Sequence, residues 1–232
     1  MRWQPLVAAL AGVLGCSNLT EVGGVSGLEI RVPRPAAVEV GQTIQLAARA
    51  LDRQGDSVGA AITWLTPDTT VLLTTDGLLT GRTGGQSARV QAQAGALVSD
   101  FVTFTVTPRP DTLVLTGDSV LTVAAGVTAS APLVASLQSF APPEPLAGHV
   151  ITYAITAPAF ADPAQRTVEL PGGVLSLAAV TGADGAPAPE PVTVSRVAGQ
   201  PSPDSAIVSV AASTATGATV PGSGQRFIIH FQ

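Results

Sequence analysis

The sequence predicts an all-β chain folded as two tandem β-sandwiches. Short runs of alternating apolar and polar residues recur from Leu28 to the end, and glycine, proline and aspartate separate them. No stretch sustains the 3.6-residue period of an amphipathic helix, so strands at short, turn-punctuated spacing are the reading that fits. Of 232 residues, 46% are hydrophobic and only 12% charged, against about 25% charged in an average soluble domain. The missing charge is replaced by Ala, Val, Thr and Ser with 24 Gly and 19 Pro, not by the ~20 consecutive apolar residues of a spanning helix. Net charge is −5, and the 11 basic residues are all arginines scattered singly. No basic stripe exists to follow a phosphate backbone, which excludes nucleic acid as a partner.

The chain opens with Arg2 and then an uncharged run from Pro5 to Gly15 that ends at Cys16, the only cysteine. A basic residue followed by a short apolar stretch has the order of an export signal. Val13-Leu14-Gly15-Cys16 resembles the lipobox of bacterial lipoproteins: an aliphatic residue, a tolerated second residue, a small residue and cysteine. That resemblance implies removal of residues 1–15, a diacylglyceryl group on Cys16 and acylation of its new amino terminus. Several acyl chains hold a protein on a bilayer where one does not. Ser17 in place of Asp implies the outer membrane by the sorting rule of Gram-negative lipoproteins. A tether over 16–26 follows, and with no second cysteine the exported part has no internal disulfide.

The first sandwich is expected over 27–107. Leu28, Ile30 and Val32 alternate with Glu29 and Arg31, and Ile44, Leu46, Ala48 and Ala50 alternate with their neighbours. A turn around Gly55 leads to Ile62-Thr63-Trp64. Asp76-Gly77 is a hairpin signal between Val71–Leu73 and Leu78–Thr80, and Ala88–Ala92 and Phe101–Val106 complete about seven strands. Val40-Gly41-Gln42-Thr43, Asp52-x-x-Gly55, Ile62-Thr63-Trp64 and Asp76-Gly77-Leu78-Leu79-Thr80-Gly81 together resemble the bacterial immunoglobulin-like domain, group 2. Trp64 would then fill the middle of the sandwich.

Residues 108–111 form a connector whose two prolines favour an extended, stiff geometry. The second unit, 112–232, reads as strands at Leu113–Leu115, Val120–Val123, Leu133–Leu137, Val150–Ile155, Val174–Ala178, Val192–Val197, Ala206–Val210 and Phe227–Phe231. It looks like a second, more divergent immunoglobulin-like sandwich. Three proline-rich stretches, Ala141–Ala147, Thr181–Pro191 and Gly199–Asp204, are expected as loops that resist joining a sheet. Binding tends to reside on such loops, and the candidate binding residues are Gly182, Asp184, Pro187, Pro189, Pro201 and Asp204.

Catalytic sets are missing. Thr116-Gly117-Asp118-Ser119-Val120 looks like the nucleophile block of GDSL-type esterases, but the only asparagine is Asn18, and Phe227 stands three residues before His230 where the activating Asp belongs. The block is therefore read as a turn. His149 and His230 lack metal-ligand spacing, Asp52 and Asp56 are too few for a calcium site, and no cofactor is expected. The expectation is a non-enzymatic, lipid-anchored envelope protein that binds a protein or surface polymer. The alternative is a membrane-extrinsic structural subunit of a larger envelope complex, since a charge-depleted surface resembles the core of an interface.

Overall fold

A computed structural model describes residues 24–232. Cys16, the expected signal and most of the tether lie outside the described residues. None of the described helices is long and apolar enough to cross a membrane; the chain is strands, with one 3-10 turn at Pro163–Gln165.

The first unit contains β1 (Gly27–Arg31), β2 (Ala37–Glu39), β3 (Thr43–Gln45), β4 (Ala47–Leu51), β5 (Ser57–Val58), β6 (Thr63–Leu65), β7 (Val71–Leu73), β8 (Leu78–Gly81), β9 (Gln86–Ala94), β10 (Leu97–Val98) and β11 (Val102–Thr107). The second contains β12 (Thr112–Thr116), β13 (Val120–Val123), β14 (Val134–Phe140), β15 (Pro143–Pro145), β16 (Val150–Ala157), β17 (Val168–Glu169), β18 (Ser176–Val180), β19 (Ser195–Arg196), β20 (Ser205–Ala212) and β21 (Arg226–Phe231). Each unit encloses its own core. Val38, Leu46, Trp64, Val71, Leu79, Val90, Phe104 and Val106 fill the first, and Leu113, Leu137, Ile151, Tyr153, Val208, Val210, Phe227 and Ile229 belong to the second. The period-2 pattern is what builds them: Ala88, Val90, Ala92 and Ala94 of β9, and Ala206, Val208, Val210 and Ala212 of β20, all point inward.

The same pairings occur twice. β1 runs antiparallel to β4 and β12 to β14; β5 then extends β4 as β15 extends β14. In the facing sheets β9 lies between β6 and β11, as β20 lies between β16 and β21. Most telling is the first strand of each unit, which leaves its antiparallel partner and continues as a strand parallel to the last one, β2 beside β11 and β13 beside β21. A strand that crosses between two sheets closes a sandwich, so the chain is two immunoglobulin-like sandwiches in tandem. The second adds β18 to the outer edge of β16, giving a five-stranded sheet in the order β13-β21-β20-β16-β18.

Three expectations need correction. The proline-rich stretch 141–147 is not only loop: Pro143-Glu144-Pro145 is β15, tolerated because it is an edge strand with no partner on its far side in the sheet order. The alternating run 43–51 is not one strand. At Leu46 the backbone N–H turns to Gly77 O (2.8 Å), so β3 stays with β8 while β4 joins β1. Of Val192–Val197 only Ser195 and Arg196 are in a strand, because Ser130 and Leu133 bond to Val194 and Val192 outside regular pairing.

Trp64 and Tyr153 occupy equivalent strands, β6 and β16, and both are buried. Trp64 rests on the 76–77 hairpin: Gly77 has φ +88°, and a Cβ there would lie 2.5 Å from Trp64 Nε1. Gly77→Ala should therefore cost more than the ~1–2 kcal/mol of the left-handed backbone alone, whereas Gly55→Ala, at φ +87° with open space around it, should cost only that; comparison of their thermal unfolding midpoints checks this. Tyr153 Oη accepts from Ala135 N at 3.2 Å. Burial pushes its phenol up to about 12, against the opposing pull of that N–H. The ionised form is thus disfavoured in the fold, so stability is full below pH 10 and is lost as pH rises above it. Tyr153 is the only tyrosine, so the ultraviolet phenolate titration reports it alone. A midpoint near 12 in the folded chain is expected, with Tyr153→Phe removing the signal.

Candidate functional site

The predicted binding residues fall in two separate places. Thr181–Pro191 follows β18, whose last residue, Val180, is in register with Val150 at the start of β16. Gly199–Asp204 precedes β20, beside the far end of β16, where Ala157 is in register with Ile207. The eight residues of β16 separate these ends by roughly 23 Å at ~3.3 Å per residue. Gly182, Asp184, Pro187 and Pro189 are therefore not brought together with Pro201 and Asp204.

The first of these loops is tied down along much of its length. Gly182 N donates to Ala186 O (2.7 Å), Ala188 N to Val180 O (3.0 Å) and Leu137 N to Gly185 O (3.0 Å). Gly185 is buried at φ +75°, where a Cβ would lie 2.5 Å from Leu137 O. The loop thus joins β18 to β14, across the two sheets. Asp184 caps its own turn, accepting from Ala186 N at 3.0 Å, and is exposed with Pro189; Gly182 and Pro187 are half-buried. At the other end, Asp204 O accepts from Phe231 N (3.0 Å), and Pro201 and Asp204 are exposed.

A second cluster stands where the sandwiches meet. β2 and β11 end side by side, in register at Glu39 and Thr107, and the connector leaves from there. Pro108 packs so closely on Gly84 that a Cβ on that glycine would lie 2.8 Å from Pro108 Cα. Arg109 bonds to Asp111 Oδ1 through Nε (2.9 Å) and Nη2 (2.7 Å), while Asp111 Oδ2 accepts from Phe140 N (2.9 Å). Burial works to raise the Asp111 carboxyl, but the Phe140 N–H, Arg109 and the Ser139 hydroxyl outweigh it and hold it below its ordinary range. The connector is in this way fastened to the second sandwich at its last residue.

Glu39 completes the seam. It is 5% exposed, and its two carboxylate oxygens accept from Ala215 N at 3.1 and 3.2 Å, a contact between residues of different sandwiches. Its own N–H donates to Gln42 Oε1 at 2.9 Å. Burial pushes its carboxyl above the ordinary value; the Ala215 N–H, His149 and Arg109 pull it down, and Asp111 pushes it up. His149 Nδ1 meanwhile donates to Ala147 O at 3.0 Å. Sequence reasoning missed Glu39 because its partner is a backbone N–H with no side-chain signature.

The chemistry weighed from the sequence has plain structural roles. Gly117 (φ +82°) and Ser119 form the turn between β12 and β13, and Ser119 O accepts from Ile228 N. Asp52 Oδ1 accepts from Gln54 N and Asp56 N, both at 2.9 Å, so it closes its own turn. Among the described residues no group of three or more His, Cys, Asp or Glu is placed to hold a metal.

No protein-family model matches the chain, and no curated protein matches it. Among solved structures it is similar to domains 4 and 5 of the S-layer protein SbsC, at 17% identity over 90% of this chain and 98% of that one, TM-score 0.34. It is similar also to Rst D1–D2 (14% identity, 89% and 100% covered, TM-score 0.39) and to the adhesin InvE of Yersinia pseudotuberculosis (15%, 88% and 58%, TM-score 0.40). The assignment of two sandwiches rests on their strand pairing.

Removing the buried charge tests the seam. The Glu39 carboxyl is raised in the fold, so its ionisation costs stability above its folded midpoint, and that cost vanishes as pH falls below about 4.5. Glu39→Gln keeps an acceptor oxygen without the charge, so it should unfold at or above the parent temperature at pH 7, with the advantage shrinking as pH falls toward 4.5. Glu39→Ala should lose about 1–2 kcal/mol at pH 7, read by calorimetry.

Proposed function

We propose that the chain is a non-catalytic, lipid-anchored protein of the bacterial envelope that uses its two immunoglobulin-like sandwiches for binding or adhesion. The observation that carries this reading is Cys16 at the end of the Val13-Leu14-Gly15 run, followed by a chain made of two copies of one strand-pairing scheme. A lipid on Cys16 would hold the first sandwich next to the bilayer. The buried contact of Glu39 with Ala215 would then carry the second outward in a defined orientation, with Pro201 and Asp204 on the end away from the seam. Fold alone does not assign function; the support is the anchor motif together with this layout.

A second reading, a structural subunit on the extrinsic side of a membrane complex, is favoured by the sheet β13-β21-β20-β16-β18. Across these five strands Arg226 is the sole charged residue, with His230 the one other titratable side chain besides buried Tyr153. Charge depletion of that kind marks the core of protein interfaces.

Cys16→Ser should abolish fatty-acid labelling and move the protein from the membrane to the soluble fraction. Unchanged membrane retention would refute the anchor. Co-purification in mild detergent separates the two readings: a stoichiometric complex with integral membrane proteins supports the structural subunit, and recovery without them supports the binding module.

A further inference from the structure

We propose that the open edge of β3 is a docking site for an extended, acidic segment of a partner protein, which pairs with the main chain of Thr43 and Gln45 and places a carboxylate on Arg31. The inference deepens the binding reading and rests on it, but not on a lipid at Cys16.

The site exists because of two prolines. β1 and β4 pair as far as Arg31 and Ala47. Asp52 N donates to Asp56 O, so the even residues of β4 serve β5 and the odd ones, 47, 49 and 51, serve β1. Continued past Ala47, the same register would set residue 33 opposite Gln45 and residue 35 opposite Thr43. Both are prolines and have no N–H to give. The chain leaves at Val32 and rejoins as β2 in the other sheet, where Thr105 N donates to Ala36 O (3.0 Å).

Thr43 and Gln45 keep the edge that β1 gives up. On their other side Gly81 N donates to Gln42 O and Leu46 N to Gly77 O, so even residues bond to β8 and odd residues turn away from it. β3 ends the sheet order β3-β8-β7, and among the described residues no hydrogen bond reaches the main chain of Thr43 or Gln45. A groove of about 440 Å³ lies along this edge, bounded by Val32, Pro33 and Ala37 of the crossing and by Ile44 and Ala47. β3 follows it for roughly 10 Å, the length of three extended residues. β12 and β18 are edges of another kind, since their own chain takes up part of them: Pro221 O and Gln225 Nε2 hold the N–H and C=O of Leu113, and Ala188 N holds Val180 O.

Strand addition draws affinity from main-chain bonds and specificity from what flanks them. Here charge selects the occupant. Arg31 lines the groove and its guanidinium meets no carboxylate among the described residues; Glu29, two residues back on the same face of β1, is held by Arg49 at 2.6 Å. Arg34, in the crossing, is likewise exposed and unpaired, and no Asp or Glu lines the groove. A guanidinium grips a carboxylate through paired N–H donors, so the complement is an extended segment with a Glu or Asp beside Arg31. A neutral or basic segment gains only the main-chain bonds.

Fluorescence anisotropy of the full-length chain in mild detergent tests the site, with labelled, end-blocked Thr-Val-Glu-Val-Thr and its counterparts carrying Gln or Lys in place of Glu as probes. The Glu peptide is expected to bind at least tenfold more tightly than the Gln peptide, and Arg31→Glu to transfer the preference to the Lys peptide. Hydrogen exchange read by NMR places the peptide: the amides of Thr43 and Gln45 exchange rapidly in the free chain and should slow at least tenfold with the Glu peptide bound. Thr43→Pro, at the first position of a strand where proline is tolerated, should weaken binding of every peptide. Should that variant fail to fold, the charge exchange at exposed Arg31 keeps the test decisive. Absence of binding, equal affinity for the three peptides, a preference unchanged by Arg31→Glu, or unchanged exchange at Thr43 and Gln45 overturns the proposal. An envelope partner whose capture survives both Arg31→Glu and Thr43→Pro would overturn this site and leave the binding reading standing.

Discussion

Each sandwich is closed by a strand that changes sheets, and in the first sandwich that strand also makes the joint with the second. β1 pairs antiparallel with β4; six residues later the chain runs parallel to β11 as β2. A parallel partner there is what places residue 39 beside Thr107, the point where the connector departs. Val38 goes into the core, and the side chain of Glu39 reaches into the seam instead. Closure of one sandwich and attachment of the next are consequences of the same three residues.

A carboxylate is a costly choice for such a place. Taking a charge out of water is repaid only by well-placed donors, and the Ala215 N–H with His149 and Arg109 nearby repays part of it, which is why the carboxyl is still raised. The contact has a different merit. An apolar seam would tolerate sliding, whereas two oxygens converging on one N–H require the 214–218 turn of the second sandwich to sit at one place over β2. The stiffness attributed to the two prolines of the connector is thus supplemented by fastenings on both sides, Pro108 on Gly84 and Asp111 on Phe140.

Much of the fold was legible in the sequence because strand periodicity is local. The alternation in Ala88–Ala92 and Ala206–Val210, the hairpin at Asp76-Gly77 and the core position of Trp64 all follow from neighbouring residues. What was not legible depends on partners far along the chain. The change of sheet at Leu46 is set by Gly77, and the proline strand β15 exists because β14 offers it an edge. For the candidate site the loss was greater. The proline-rich composition of 181–191 drew attention to a loop whose middle, at Gly185, is built into the sandwich by Leu137, and the seam glutamate left no mark in the sequence because its partner is a main-chain amide 176 residues away.

The low charge of the chain now has a location. β13, β21, β20, β16 and β18 contribute long stretches of Ala, Ser, Thr and Val to a sheet in which Arg226 alone is charged, while the described aspartates all lie outside the strands, in turns, loops and the connector. The central claim is the grip of Glu39 on the second sandwich, and the amide proton shift of Ala215 followed across a pH titration by NMR addresses it most directly. The structure predicts that this amide titrates with a midpoint above the ordinary glutamate value of 4.5 and that the titration disappears in Glu39→Gln. An Ala215 amide that does not respond to pH, or responds equally in both proteins, would contradict it.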